Sequence, residues 1–194
     1  MIIFNDNWAD ASNAQSIDVN LRPTNSLESA ILTSLAPGAY TAIARGTNNG
    51  TGIGLVEIFD LDPTVPTKLS NISTRGLVET GDGVMIGGFI IKGPDNDKVV
   101  IRAIGPSLAN PPINITNALQ NPTLSLFDVN GTKIAFNDDW RSDQQADIIA
   151  TGLQPSNDLE SAIVITLTPG NYTAIVSGVN DTTGVALVEV YGLN

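Results

Sequence analysis

Residues 4–62, FNDNWADASNAQSIDVNLRPTNSLESAILTSLAPGAYTAIARGTNNGTGIGLVEIFDLD, lie without a gap on residues 136–194, FNDDWRSDQQADIIATGLQPSNDLESAIVITLTPGNYTAIVSGVNDTTGVALVEVYGLN. The offset is 132 residues, and 29 of the 59 aligned positions are identical. A period this long is a domain-scale duplication rather than a solenoid unit. Ahead of the second copy stands the strand-like run Thr123 to Asp128, then the turn Val129-Asn130-Gly131. Ahead of the first copy stand only Met1, Ile2 and Ile3. The first module is therefore expected to lack its opening strand.

Short apolar alternations separated by Gly, Pro, Asn and Asp clusters run the length of the chain. They predict an all-β fold of antiparallel β-sandwich, jelly-roll-like modules, one complete and one partial. In the second copy the strands are expected at Ser161 to Leu167, Tyr172 to Ser177 and Val185 to Tyr191, the last covered on both faces. The same reading places strands at Ser29 to Leu35, Tyr40 to Arg45 and Ile53 to Phe59 of the first copy. Residues 69–78, 84–91 and 98–104 are further strands, with no counterpart in the first copy. A helix fits only Asp143 to Ala150, with a helical turn near Ile115 to Leu119. The boundaries that follow are a partial module at 1–62, a proline-marked linker at 63–68, and a complete module at 69–194.

Twenty acids face nine bases, for a formal net charge of −11. Such a balance argues against nucleic acid or an anionic membrane as partner, since phosphate contacts need clustered Lys and Arg. With no cysteine and no histidine, disulfides, thiolate chemistry, Cys/His zinc sites and Ser-His-Asp catalysis are excluded. No run is long and apolar enough for a membrane span, so membrane insertion is not expected. Six Asn-x-Ser/Thr sequons, at Asn49, Asn71, Asn114, Asn130, Asn171 and Asn180, follow from a chain rich in Asn and Thr.

The strongest local chemistry is acidic. Asp128, Asn130, Asp138 and Asp139 bracket Lys133 to Phe136, where a hairpin could bring both ends together. Calcium takes six to eight hard oxygens from such groups, while Asp and Asn also end strands because their side chains cap turns. Asp6, the first copy's counterpart of Asp138, is a further candidate calcium ligand, in a site expected to be weaker unless another chain supplies the counterparts of Asp128 and Asn130. Glu28 and Glu160 stand in LESA, Glu57 and Glu189 in LVEI and LVEV. A carboxylate inside an apolar strand needs a partner, and Arg102 in VVIRAIG is a candidate. Two acids could make a glycosidase pair, but nothing in the sequence shapes a cleft. Trp8 and Trp140 follow the acidic triplet as core-edge residues closing the sandwich or as recognition residues for sugar. Gly81, Gly83, Gly87 and Gly88 lack the GK[ST] of a phosphate loop.

The order LSNISTRG, VMIGGFII, IRAIGPSL, PTLSLFDVNG, FNDDW, LESAI, PGNYTAIVSG and TGVALVEVY resembles modules found in tandem in large secreted bacterial surface proteins without assigned activity. Leu124 to Val190 is also similar to pre-peptidase C-terminal domains, β-sandwiches on exported proteins. The resemblance implies adhesion, polymer binding or secretion, with calcium bound in some members. The loop Arg141 to Asp158 departs from it, with neither a catalytic pattern nor an aromatic platform.

The expectation is thus an extracellular or cell-surface, non-enzymatic structural or adhesive protein. Its unpaired edges invite a strand from elsewhere, giving self-association and fibres by strand complementation between subunits. Completion in cis, or a fragment of a longer chain, are the other outcomes. A carbohydrate-binding accessory module, with polysaccharide as partner, is the alternative.

Overall fold

The structure is a computed structural model, and it describes residues 2–61 and 70–193. The expected linker at 63–68 lies outside the described residues. The chain divides into two compact units, Met1–Val56 and Glu57–Asn194.

Among its described residues the second unit holds eight strands and one α-helix: β1 (Asn71–Val78), β2 (Met85–Ile91), β3 (Asp97–Ile104), β4 (Pro122–Phe127), β5 (Lys133–Asn137), α1 (Gln145–Ala150), β6 (Ser161–Leu167), β7 (Gly170–Gly178) and β8 (Gly184–Gly192). They form two four-stranded antiparallel sheets, ordered β1-β8-β3-β6 and β2-β7-β4-β5. Period-two alternation drives the pairing of the sheets. In β4, Leu124 and Leu126 point inward with no exposure while Ser125 and Phe127 face out. These leucines pack with Phe89, Val99, Ile101, Ile163, Leu167, Ala174 and Val188 in one core drawn from both sheets. Burying each large aliphatic side chain there stabilises the fold by about 1.5–3 kcal/mol.

As the sequence predicts, β8 is covered on both faces. Ala186 and Val188 enter the main core, while Val185 and Leu187 pack against Ile104, Leu108 and Ala118. The helical turn expected near Ile115 to Leu119 is instead a 3-10 turn at Pro106–Ala109. Ala118 makes a parallel bridge to Val185, so that segment is spent on extending the sheet.

Strand order carries a simple rule. Let β1 to β4 be the leading half and β5 to β8 the trailing half. The ladders join β1 to β8, β2 to β7, β3 to β6, β3 to β8, β4 to β5 and β4 to β7. Among the described residues, every ladder joins a leading strand to a trailing one. Neither half pairs with itself.

The first copy follows from that rule. Residues 4–61 copy the trailing half, and no described residue from 2 to 61 lies in a strand. The strands expected at 29–35, 40–45 and 53–59 are therefore not formed, because in the second copy their ladder partners are all in the leading half. In the second copy those partners are four leading strands rather than one opening strand.

Short-range structure is nevertheless kept. The Trp8 amide donates to the Glu28 carbonyl at 2.7 Å, as Trp140 does to Glu160 at 2.8 Å. The Tyr40 hydroxyl donates to the Ala36 carbonyl at 2.8 Å, as Tyr172 does to Thr168 at 2.9 Å. Asn48 and Asn49 take the left-handed φ of 53° and 60° found again at Asn180 and Asp181, a region Asn and Asp tolerate better than other side chains. A Cβ on Gly46 would meet the Gly50 carbonyl oxygen at 2.0 Å, and one on Gly178 the Thr182 oxygen at the same distance. Local grammar survives without the sheet.

Candidate functional site

Buried polar residues concentrate where the two halves meet. Glu160, fully buried at the entry to β6, accepts at Oε1 from the amides of Gly105 (3.2 Å) and Ser107 (2.9 Å). Its Oε2 accepts from the Ser107 hydroxyl at 2.9 Å and the Asn157 amide at 3.2 Å. The turn after β3 thus supplies three of the four donors that make a buried charge tolerable. Ser161 donates through its hydroxyl to the Pro122 carbonyl at 2.6 Å and also to that of Asp138.

Glu189, in β8, stands opposite Arg102 in β3. Arg102 Nε donates to Glu189 Oε2 at 3.0 Å, and Nη2 donates to the same oxygen. Glu189 Oε1 accepts from the hydroxyls of Tyr191 (2.8 Å) and Ser73 (3.2 Å). Arg102 is spent as well: Nη1 donates to the Leu153 carbonyl at 2.8 Å, and the guanidinium sits over the Tyr191 ring. Burial, and then the neighbouring Glu189 carboxylate, push the Tyr191 hydroxyl above its ordinary pKa. A shallow cavity of about 210 Å³ opens here, with Arg102, Ser107, Glu160 and Glu189 among its lining. Each of these carboxylates is saturated by protein donors. The arrangement is that of structural pairing, as expected for Arg102.

The expected calcium ligands are divided between two ends of one hairpin. Asp128 and Asn130 form its turn, where Asp128 Oδ1 accepts from the amides of Asn130 and Thr132, both at 2.9 Å. The Thr132 amide foremost, then Asn130, holds the Asp128 carboxyl below the usual 3.8. Asp138 and Asp139 follow the far end of β5, beyond the Leu124–Asn137 pair. Four strand residues at about 3.3 Å each put the two groups on the order of 13 Å apart, so the hairpin does not bring them together. Among the described residues no three Asp or Glu side chains group as a metal site. The Oδ1 atoms of Asp138 and Asp139 are enclosed without a hydrogen-bond partner among the described residues. Burial, with Asp139 adding its charge, pushes the Asp138 carboxyl up. Asp6, in the first copy, accepts from Thr47 at 3.2 Å.

Trp140 is a core residue at 2% exposure, packed with Val100, Ile148, Ala162 and Val164. Its indole N–H donates to the Asn157 carbonyl at 3.1 Å, and Arg141 lies over its ring at 4.2 Å, leaving no open face for a sugar. Trp8 is half-buried, and its Nε1 has no partner among the described residues.

Two features have no evident sequence signal. Gln144 reaches the open edge of β6, accepting from the Val164 amide at 3.1 Å and donating to the Val164 carbonyl at 2.9 Å. Beside it, Asn137 Oδ1 accepts from the Ala162 amide at 2.9 Å. Side chains thus occupy edge groups that would otherwise invite another strand. Asn5 repeats the second contact in the first copy, with Ala30 at 3.0 Å.

No curated protein matches the chain. A family model described as Rift valley fever virus non structural protein (NSs) like matches residues 106–189. That is fewer than half of the residues, and it omits β1, β2 and β3. Among solved structures, the chain is similar to the pre-peptidase C-terminal domain of a collagenase from Bacillus anthracis. The likeness spans 62% of this chain and 88% of that one, at 14% identity and a TM-score of 0.39. Among the described residues no helix is long and apolar enough to cross a membrane.

Proposed function

We propose that the protein is an extracellular, non-enzymatic structural or adhesive building block whose β-sandwich modules are joined by strand complementation. The alternation of leading and trailing strands supports this reading most directly. A module split between its halves is two surfaces that each need the other, which is the logic of a supplied strand extended to four. The order β1-β8-β3-β6 over β2-β7-β4-β5 is that of an eight-stranded jelly roll, with one complete module and a trailing half. Assembly follows where a separate polypeptide with an unpaired leading half docks on residues 2–61, and it continues as a fibre where that polypeptide also carries a free trailing half, since such contacts need not close. The carboxylates at the centre of the module are committed to holding it together, which favours structure over catalysis. Burial of Trp140 removes the best stacking platform from the carbohydrate-binding alternative.

Calcium belongs to this reading as a proposal for one end of the hairpin. A cation beside Asp138 and Asp139 would offset the burial and the Asp139 charge that raise Asp138, and satisfy both enclosed oxygens.

Antibody labelling and added protease on intact producing cells test the location, and a glycan array tests the alternative. Surface accessibility without saturable glycan binding is the expected result. An internal location, or micromolar binding to one polysaccharide, overturns the proposal.

A further inference from the structure

The surface that residues 2–61 present has a counterpart whose occupant is known. Ile31 is 52% exposed where its equivalent Ile163 is 2%, and Val56 is 53% exposed where Val188 is 2%. Leu35 and Tyr40 are exposed where Leu167 and Tyr172 are buried. In the second copy these four are covered in a core to which the leading half contributes Val78, Phe89, Ile101 and Leu124. The polar positions tell the same story. Glu189 is held by Arg102 and Ser73, and Glu160 by Gly105 and Ser107, all leading-half groups. Glu57 and Glu28, their equivalents, are both exposed.

Resting on the complementation reading, we infer that residues 2–61 are a receiving surface for a second leading half-module. This partner is a four-stranded polypeptide of the type of residues 70–127. It carries an arginine opposite Glu57 and a Gly-x-Ser turn whose amides and hydroxyl receive Glu28. A second copy of this chain is not the occupant. Its leading segment already serves residues 133–192, and lending it elsewhere frees one trailing half for each one covered. The intramolecular partner also holds the advantage of millimolar effective concentration.

The test joins a copy of residues 70–132 ahead of Met1 of the full chain, restoring the spacing found before Lys133. Hydrogen exchange at residues 29–35, 40–46 and 53–59 is expected to slow at least hundredfold, with a second cooperative unfolding transition. Arg102→Ala in the added copy alone should remove most of that protection. Arg102→Glu in the added copy, combined with Glu57→Arg, should recover it, which a general folding defect does not predict. Unchanged exchange in the extended chain overturns the inference. So does the unextended chain already protecting these residues, as a monomer through some other partner or as an oligomer through a second copy. A protected, folded extended chain found inside cells leaves this inference standing and removes the functional reading instead.

Discussion

Arg102 faces Glu189 across the β3–β8 ladder, and each has its remaining polar atoms engaged by Leu153, Ser73 and Tyr191. The pair is a cross-half bond, fixed between a leading and a trailing strand. Removing one partner leaves a nearly buried charge, which typically costs about 3–5 kcal/mol. Arg102→Ala should therefore destabilise the second unit by about 3 kcal/mol, near the low end because two hydroxyls still serve Glu189. Arg102→Met with Glu189→Leu should cost much less, since no charge is stranded. Denaturant unfolding of the three proteins checks both.

Identical substitutions in the two copies should have unequal effects. Ile163 lies in the core and Ile31 is half exposed. Truncating a buried isoleucine to alanine costs about 2–5 kcal/mol, so Ile163→Ala should lower the main unfolding midpoint clearly. Ile31→Ala should leave it unmoved. A matched loss at both positions would show that residues 2–61 are packed after all.

The strand boundaries were largely legible because a two-sheet sandwich imposes period two on its strands. SAIVITL is β6 itself, and the runs at 84–91 and 98–104 match β2 and β3 within a residue. The first copy was misread for the same reason. Its alternation is that of strands, but alternation specifies a face, while a ladder needs a partner that local sequence does not provide. The partnership of Arg102 with an acid was legible from charge alone in an apolar run. The donors to Glu160 were not, since two of them are main-chain amides in a turn. Asp128 and Asp138 looked close because a hairpin joins them. Register, set by the Leu124–Asn137 pairing, puts them at opposite ends.

Acid should act through Asp128. Its carboxyl is held below 3.8 by the Thr132 and Asn130 amides, so its folded pKa lies under its unfolded one. That contribution is present above the unfolded value and is lost as pH falls through the folded one. Asp128→Ala should accordingly lower the midpoint at pH 7, and the gap from the parent should close as pH falls below 3.8 through the folded value. Asp138 has the opposite sign, being raised. In the absence of a cation, Asp138→Asn should be neutral or stabilising at pH 7, with the benefit fading as pH falls toward 3.8.

Calcium should separate the two ends of the hairpin. A ligand that binds only the folded state raises stability by about 2.7 kcal/mol at a hundredfold excess over Kd. Millimolar Ca²⁺ is expected to raise the midpoint relative to chelator, with the gain lost in Asp138→Asn and Asp139→Asn and kept in Asp128→Asn. An unchanged parent midpoint removes calcium from the account.

Hydrogen exchange on the unmodified chain, read copy against copy, tests the central claim most directly. Protection follows paired strands, and the trailing half is held to pair only with a leading half. Residues 161–167, 170–178 and 184–192 should exchange slowly, and residues 29–35, 40–46 and 53–59, with nearly half of the same sequence, should exchange at close to the unprotected rate. Equal protection of both copies in a monomeric sample would contradict it.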